Sequence, residues 1–441
     1  MKKNRCKVIW RILAVAVVMS LFFTGCGKKD KQDKDISNSE EQTTEKEKKP
    51  EYTFEQEKVQ VKKYYIYGTR FNFEGQLTTD KEISSIQLIA AAEKEYKFDC
   101  IFSKNKKLKN TVNIKVSKWI NEGMNLDQFQ NGEYQLHLAV TDADGKTSHY
   151  SMENKTKYPK SEYYTMTKDN TNQKVTIADD FKMTVAEEKE PDGLYDIAID
   201  PGHGGLDTGA AVSDLAESEI GLNVGKKVKE LLEKKGYKVL LTRDGTEDSS
   251  YTAYNTFDKN GRVTLTCKAK AKYAYSIHCN STEASLAQGG AEVYLAPAAK
   301  ETMAKNIVDG LCSTSGMDYS AMKSFRRCKG VYAKGHDESA KQEITRYANA
   351  GGYKPFHVTS NTPYLYMIRE TGGIVTGAFN DGRMPKYSAN KYYKSNVATE
   401  TYLIELGYLT VDKDFKIIKN KQDKLAEGIA NGIIKSLQET E

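Results

Sequence analysis

From residue 194 onward, strand-sized apolar runs alternate with stretches of helical period, which confines this half of the chain to an α/β architecture. Tyr195 to Asp200 reads as a buried strand. Ile220, Val224, Val228, Leu231 and Leu232 then recur at helical spacing until Gly236 stops them. The pattern predicts further strands at Tyr237 to Thr242, Tyr273 to His278, Ala291 to Leu295, Tyr364 to Ile368 and Thr401 to Leu406. Helices are predicted from Arg262, through Met303, Ile307, Val308 and Leu311, and through Leu425, Ile429, Ile433, Ile434 and Leu437. This order calls for a mostly parallel sheet flanked by helices over residues 194–441.

Residues 52–186 follow a different pattern. Short aromatic and β-branched runs (Tyr64 to Tyr67, Ile86 to Ala90, Val112 to Val116, Tyr134 to Val140, Lys174 to Ile177) are separated by turn signals such as Asn131-Gly132 and Asp144-Gly145. They predict an all-β sandwich, Ig-like in outline, joined to the α/β part by an acidic linker at 187–193. Nothing in it looks catalytic, so it reads as a spacer or binding module that could receive an activator protein.

The first 25 residues read as an export signal, with a basic start and an apolar run from Ile12 to Phe23 that is short for a membrane span. Phe23-Thr24-Gly25-Cys26 resembles a bacterial lipoprotein signal, which implies lipidation of Cys26 and a protein held on the outer face of the cell membrane. An uncleaved N-terminal anchor is the alternative. Residues 26–51 form a charged spacer; seven Lys and seven acidic residues between 27 and 50 leave almost nothing to bury. Removing the signal takes five positive and no negative charges from a net of +6, leaving about +1, so charge gives no reason to propose a nucleic-acid partner. No two of the seven Cys have CxxC spacing, which removes the commonest zinc-ribbon and redox readings. The five beyond Cys26 read mostly as core residues, with any disulfide among them unassignable.

Chemistry in such a sheet collects at the carboxyl ends of its strands. His203 stands there, in a turn made tight by Pro201, Gly202, Gly204 and Gly205, and His278 ends another strand. Glu217 opens the helix between them. Two imidazoles and a carboxylate suit a catalytic zinc with one open position, although each residue alone reads as readily as a turn, helix-start or surface residue.

Residues 195–209, which contain Asp200-Pro201-Gly202-His203-Gly204-Gly205, resemble the opening motif of the zinc-dependent N-acetylmuramoyl-L-alanine amidases of the amidase_3 type. Glu217, Thr242-Arg243, Ser276-Ile277-His278 and Leu403-Ile404-Glu405-Leu406-Gly407 extend the likeness in order along the chain. The resemblance implies Zn2+ held by His203, Glu217 and His278, with Glu405 as the base that takes a proton from a zinc-activated water. The bond it implies is the one joining N-acetylmuramic acid to L-alanine in peptidoglycan. Glu370 is the rival base, because it too follows a predicted strand; with Arg243, Asn280 and Arg369 it is otherwise expected to contact substrate or support the ligands. Cys279 departs from the family's small residue and is expected to point into the core. Residues 312–363 and 374–400 look like insertions at the catalytic edge that shape or gate access; His336 and His357 in the first read as surface residues. An idle or partner-gated amidase-like domain that only binds wall glycan is the alternative to an active enzyme, and a peptidase or sugar deacetylase a third reading.

Overall fold

Alternation in Tyr134–Val140 shows how the first layer forms. Tyr134, Leu136, Leu138 and Val140 are buried in one core, while His137 and Ala139 turn to the other face. The computed structural model describes residues 50–167, 172–189, 192–247, 259–283, 288–352, 354–379 and 390–439. The expected export signal and Cys26 lie outside them, and among the described residues no helix is long and apolar enough to cross a membrane.

Two β-sheets pack around Phe71, Phe73, Leu77, Leu88, Leu138 and Phe181. One runs in the order Met152–Asn154, Val59–Tyr67, Arg70–Thr78, Thr111–Lys115, Ile101–Lys104. The other runs Glu162–Tyr164, Asn172–Ile177, Lys182–Glu188, Gly132–Asp142, Ile83–Ala91, Glu95–Asp99. The expected linker is shorter than its acidic composition suggests, because the strand continues to Glu188 through pairing with Asn172–Ile177.

The outer face of the second sheet carries a histidine pair. His137 Nε2 lies 3.1 Å from His149 Nδ1, and the Tyr52 ring covers both, with centroids 4.4 and 4.7 Å away. Burial, and then the charge of His149, lowers the His137 pKa to about 4, with Glu95 pulling the other way. A histidine depressed in the folded state contributes its full stability above the unfolded value of ~6.5 and loses it as pH falls toward about 4. The denaturation midpoint is therefore expected to fall across that window, by no more than about 3 kcal/mol in stability, and His137→Leu should flatten the decline. Equal acid sensitivity in the variant would assign the effect to other groups.

The main sheet of the α/β part is built from β1 (Ile197–Pro201), β2 (Val239–Leu241), β3 (Tyr273–Asn280), β4 (Glu292–Tyr294), β5 (Arg326–Cys328), β6 (Val331–Tyr332) and β7 (Glu400–Tyr408). They form a mixed sheet in the order β2-β1-β3-β7-β4-β6-β5. The β2-β1, β1-β3, β3-β7 and β4-β6 pairs are parallel; β7-β4 and β6-β5 are antiparallel. Among the described residues the helices are α1 (Glu217–Glu233), α2 (Arg262–Lys268), α3 (Thr302–Ser315), α4 (Glu338–Gly351), α5 (Tyr366–Thr371), α6 (Gly373–Thr376), α7 (Asp412–Asn420) and α8 (Gln422–Gln438). Helices α3 and α8 meet backbone to backbone: a Cβ added at Gly310 would stand 2.4 Å from the Gly428 carbonyl oxygen.

Three expectations are corrected here. Tyr364 to Ile368 is not a strand; from Tyr366 the chain is helical and docks on β7, where Thr371 Oγ1 lies 2.6 Å from Thr401 Oγ1. Residues 312–363 do not simply loop over the site, because β5 and β6 extend the sheet edge and α4 follows them. His336 is buried rather than on the surface, its Nδ1 bonded to the Thr362 carbonyl at 2.9 Å; His357 is exposed. Of the second stretch, Val397–Ala398 pairs with Ile66 and Tyr67 of the sandwich, whereas 380–389 lies outside the described residues. Tyr65, Tyr67, Ile120 and Met166 also enter the α/β core, so the two halves share apolar packing. All five described cysteines are free thiols, with Cys100, Cys279 and Cys312 buried.

Candidate metal centre

Parallel pairing of β1, β3 and β7 brings their carboxyl ends to one edge, with His278 opposite Glu405 in register. His203 follows β1 with a φ of 59°, a left-handed conformation rare for a side-chain-bearing residue and stored most often at functional sites. Two buried arginines hold this turn. Arg243 Nε donates to the Pro201 carbonyl at 3.0 Å and its guanidinium to that of Gly202 at 2.9 Å, while Arg262 donates to the His203 carbonyl at 2.6 Å.

Ligand-capable atoms of His203, Glu217 and His278 lie within 4.8 Å of one another. Glu217 Oε1 is 3.0 Å from His203 Nε2 and 2.9 Å from His278 Nδ1, and its Oε2 accepts from Ala210 N at 2.9 Å. The outward nitrogens have partners that orient each ring. His203 Nδ1 is 2.8 Å from Asp207 Oδ2, and His278 Nε2 is 3.1 Å from Ser276 Oγ. Ser276 in turn donates to Asp200 Oδ2 at 2.6 Å; the other oxygen of this fully buried carboxylate accepts from Thr242 Oγ1 at 2.6 Å and Arg262 at 2.8 Å. Among the described residues this is the one cluster of three or more His, Cys, Asp or Glu with metal-holding geometry.

Burial alone would raise the Glu217 pKa, but hydrogen bonds from His203 and His278 outweigh it and hold the carboxyl far below the usual range. For His203, burial works against the charged ring, and the carboxylates of Glu217 and Asp207 overcome it, raising its pKa. Burial, followed by the charges of Glu217 and Glu292, pushes Glu405 well above the ordinary carboxyl range, and its Oε2 is buried with no hydrogen-bond partner among the described residues. Cys279 points into the core as expected, and burial raises its thiol so far that a thiolate ligand is disfavoured.

The rest of the expected set is held elsewhere. Arg243 is occupied by backbone carbonyls, so it supports the His203 turn. Asn280 Nδ2 donates to Glu292 at 3.1 Å and its Oδ1 accepts from Ser281 N at 2.9 Å. Glu370, the rival base, does not follow a strand; it lies in α5, accepting from Arg369 at 2.7 Å, Asn390 at 2.8 Å and Phe379 N at 3.1 Å. Arg369 also donates to the Tyr364 carbonyl at 2.9 Å. Sequence reasoning passed over Asp200, Asp207, Arg262, Ser276 and Glu292. Glu292, fully buried, accepts from Tyr294, Tyr408, Ser320 and Asn280 beside Glu405; an acid inside the apolar run Ala291 to Leu295 was its available signal.

Glycines leave the room these rings occupy. A Cβ at Gly209 would stand 2.5 Å from His203 Cδ2 and 2.6 Å from Glu217 Oε2, at a φ of +62°. Gly209→Ala is expected to displace both side chains and weaken metal affinity at least roughly tenfold, the scale of losing a supporting contact. Zinc titration checks this; unchanged affinity would show that the turn can yield.

Residues 197–435 match the Amidase_3 family profile, N-acetylmuramoyl-L-alanine amidase, and the chain belongs to that family. Among curated relatives, the germination-specific N-acetylmuramoyl-L-alanine amidase of Bacillus subtilis (strain 168) is 31% identical over 143 residues, which are 31% of this chain and 59% of that protein. N-acetylmuramoyl-L-alanine amidase LytC of the same organism is 35% identical over 98 residues, 22% of this chain and 18% of LytC. The match therefore spans less than two thirds of either relative. Of the solved structures, N-acetylmuramoyl-L-alanine amidase AmiC2 of Nostoc punctiforme aligns at 24% identity and TM-score 0.35, over 56% of this chain and 99% of that one. At such a score the fold rests on its own strand pairings.

Proposed function

We propose that this chain hydrolyses the amide bond between N-acetylmuramic acid and L-alanine in peptidoglycan. The observation that carries the reading is the convergence of His203, Glu217 and His278 beside the buried, unpartnered carboxyl oxygen of Glu405, inside the stretch that matches the amidase family. The donor set fits zinc: two imidazole nitrogens and one carboxylate oxygen, each ring oriented from behind, on partly exposed histidines that leave a position for water. When bound, zinc supplies Lewis acidity toward water and the scissile carbonyl.

The remaining work falls to the chain's own groups. Asp207 and Ser276 fix which nitrogen of each histidine faces inward, and Arg243 with Arg262 keeps the strained turn from relaxing. Glu405, with its proton affinity raised by burial, takes a proton from the attacking water and returns it to the leaving amine. We further assign Cys26 as the lipid anchor on the outer membrane face, residues 27–50 as its spacer, and the sandwich, read as Ig-like, as a docking place for an activator.

Digestion of purified peptidoglycan with and without a zinc chelator tests the reading. Chelator-sensitive release of stem peptides with a free L-alanine amine is expected by mass spectrometry; released acetate would indicate a deacetylase, and no product despite bound zinc an idle binding domain. His278→Ala should lower zinc stoichiometry by elemental analysis, and an unchanged value would remove it from the ligand set. Cys26→Ala should leave the membrane fraction.

A further inference from the structure

The sandwich and the α/β part enclose a crevice of about 350 Å³ between them, lined by Arg70, Asn121 and Gly123 from the first and Tyr273, Lys300 and Glu400 from the second. It lies at the beginnings of β3 and β7, where Tyr273 stands opposite Glu400, whereas His278 and Glu405 pair near the other ends of the same strands. None of the three metal-centre residues lines it.

Its charges divide into matched and unmatched groups. Lys300 pairs with Glu122, and Glu439 accepts from Asn306 at 2.9 Å. The Arg70 guanidinium forms no hydrogen bond or ion pair with any described residue, although the backbone of Arg70 pairs in its strand and its charge reaches Glu400 and Tyr273. Glu400 is 4% exposed and, among the described residues, accepts only from neutral donors, Asn121 Nδ2 at 2.8 Å and the Tyr402 hydroxyl. Burial raises its carboxyl to about 7, against the pull of those hydrogen bonds and of Arg70, as befits a carboxylate removed from water without a paired cation. Gly68 keeps the space above it open, since a Cβ there would stand 2.8 Å from Glu400 Oε2.

We propose that this crevice binds a small zwitterion, a free amino acid or short peptide whose carboxylate meets Arg70 and whose ammonium meets Glu400. A guanidinium is the side chain best suited to a carboxylate. A buried carboxylate without a cation is the natural seat for an ammonium. The volume is at the small end for ligand sites, which frequently lie at domain interfaces, and admits a molecule of amino-acid to dipeptide size. The inference does not depend on the hydrolytic assignment.

Calorimetric titration of the full chain with L-alanyl-L-alanine, its N-acetyl form and its C-terminal amide tests each end separately. Saturable binding of the dipeptide is expected, weakened at least roughly tenfold by either cap and by Arg70→Gln, and unchanged by His278→Ala. Because Arg70 is only half-buried, its variant should keep the wild-type circular dichroism and melting curve. No binding overturns the proposal. So does equal binding of the N-acetyl form, which would mean a simple anion site, or loss of binding in His278→Ala, which would place the peptide at the metal centre.

Discussion

Glu405→Ala is expected to take up as much zinc as the wild-type chain and to hydrolyse peptidoglycan roughly 10²- to 10⁴-fold more slowly, the range for losing a positioned acid-base group. Glu405 lies beside His278 in register without bonding to any of the three candidate ligands, so the metal donors remain when it is removed. Its stability should move the opposite way to its activity. A buried carboxyl oxygen with no partner, placed near Glu217 and Glu292, disfavours the folded state, and truncating it relieves that. Lost hydrolysis with an equal or higher melting temperature would mark a residue retained for chemistry. Full activity would remove Glu405 as the base, and a large fall in stability would recast it as a structural strand carboxylate.

Asp200→Ala should have the largest effect on stability, about 3–5 kcal/mol, because it leaves the buried Arg262 guanidinium without its carboxylate. The same substitution frees Ser276, whose hydroxyl otherwise links Asp200 to His278 Nε2. Metal affinity should therefore fall along with stability, by roughly 10- to 100-fold, as for other groups that orient a ligand from behind. Chemical denaturation and zinc titration on one preparation measure both. Weaker metal binding at unchanged stability would mean that the other partners of Arg262, the Pro201 and His203 carbonyls among them, hold it without Asp200, and unchanged values of both would dissolve the proposed chain from Asp200 to the candidate metal centre.

Much of the fold was legible because each element declares itself over a few residues. The period of Ile220, Val224, Val228 and Leu232 places four fully buried side chains on one face of α1. The alternation of Tyr134, Leu136, Leu138 and Val140 does the same for a half-buried strand. The run from Tyr364 misled because Tyr, Leu and Ile suit a strand by composition, while here Met367, Ile368 and Thr371 cover β7 from a helix. His336 likewise had no neighbour in sequence to show that Tyr364 and Phe379 would enclose it.

By itself, then, the sequence determined the two-part architecture, the strand-end positions of His203 and His278 and the placing of Glu217 at a helix start, since these follow from local periodicity and turn chemistry. Only the tertiary structure decided which carboxylate stands by the candidate metal centre. Glu370 is enclosed by Arg369 and Asn390, and Glu405 Oε2 has no hydrogen-bond partner among the described residues. Only it, too, revealed Asp200 and Arg262, 62 residues apart, as the pair beneath the His203 turn. Hydrogen-bond partners of buried polar groups are set by which strands lie side by side, and no pattern read along a single segment carries that information.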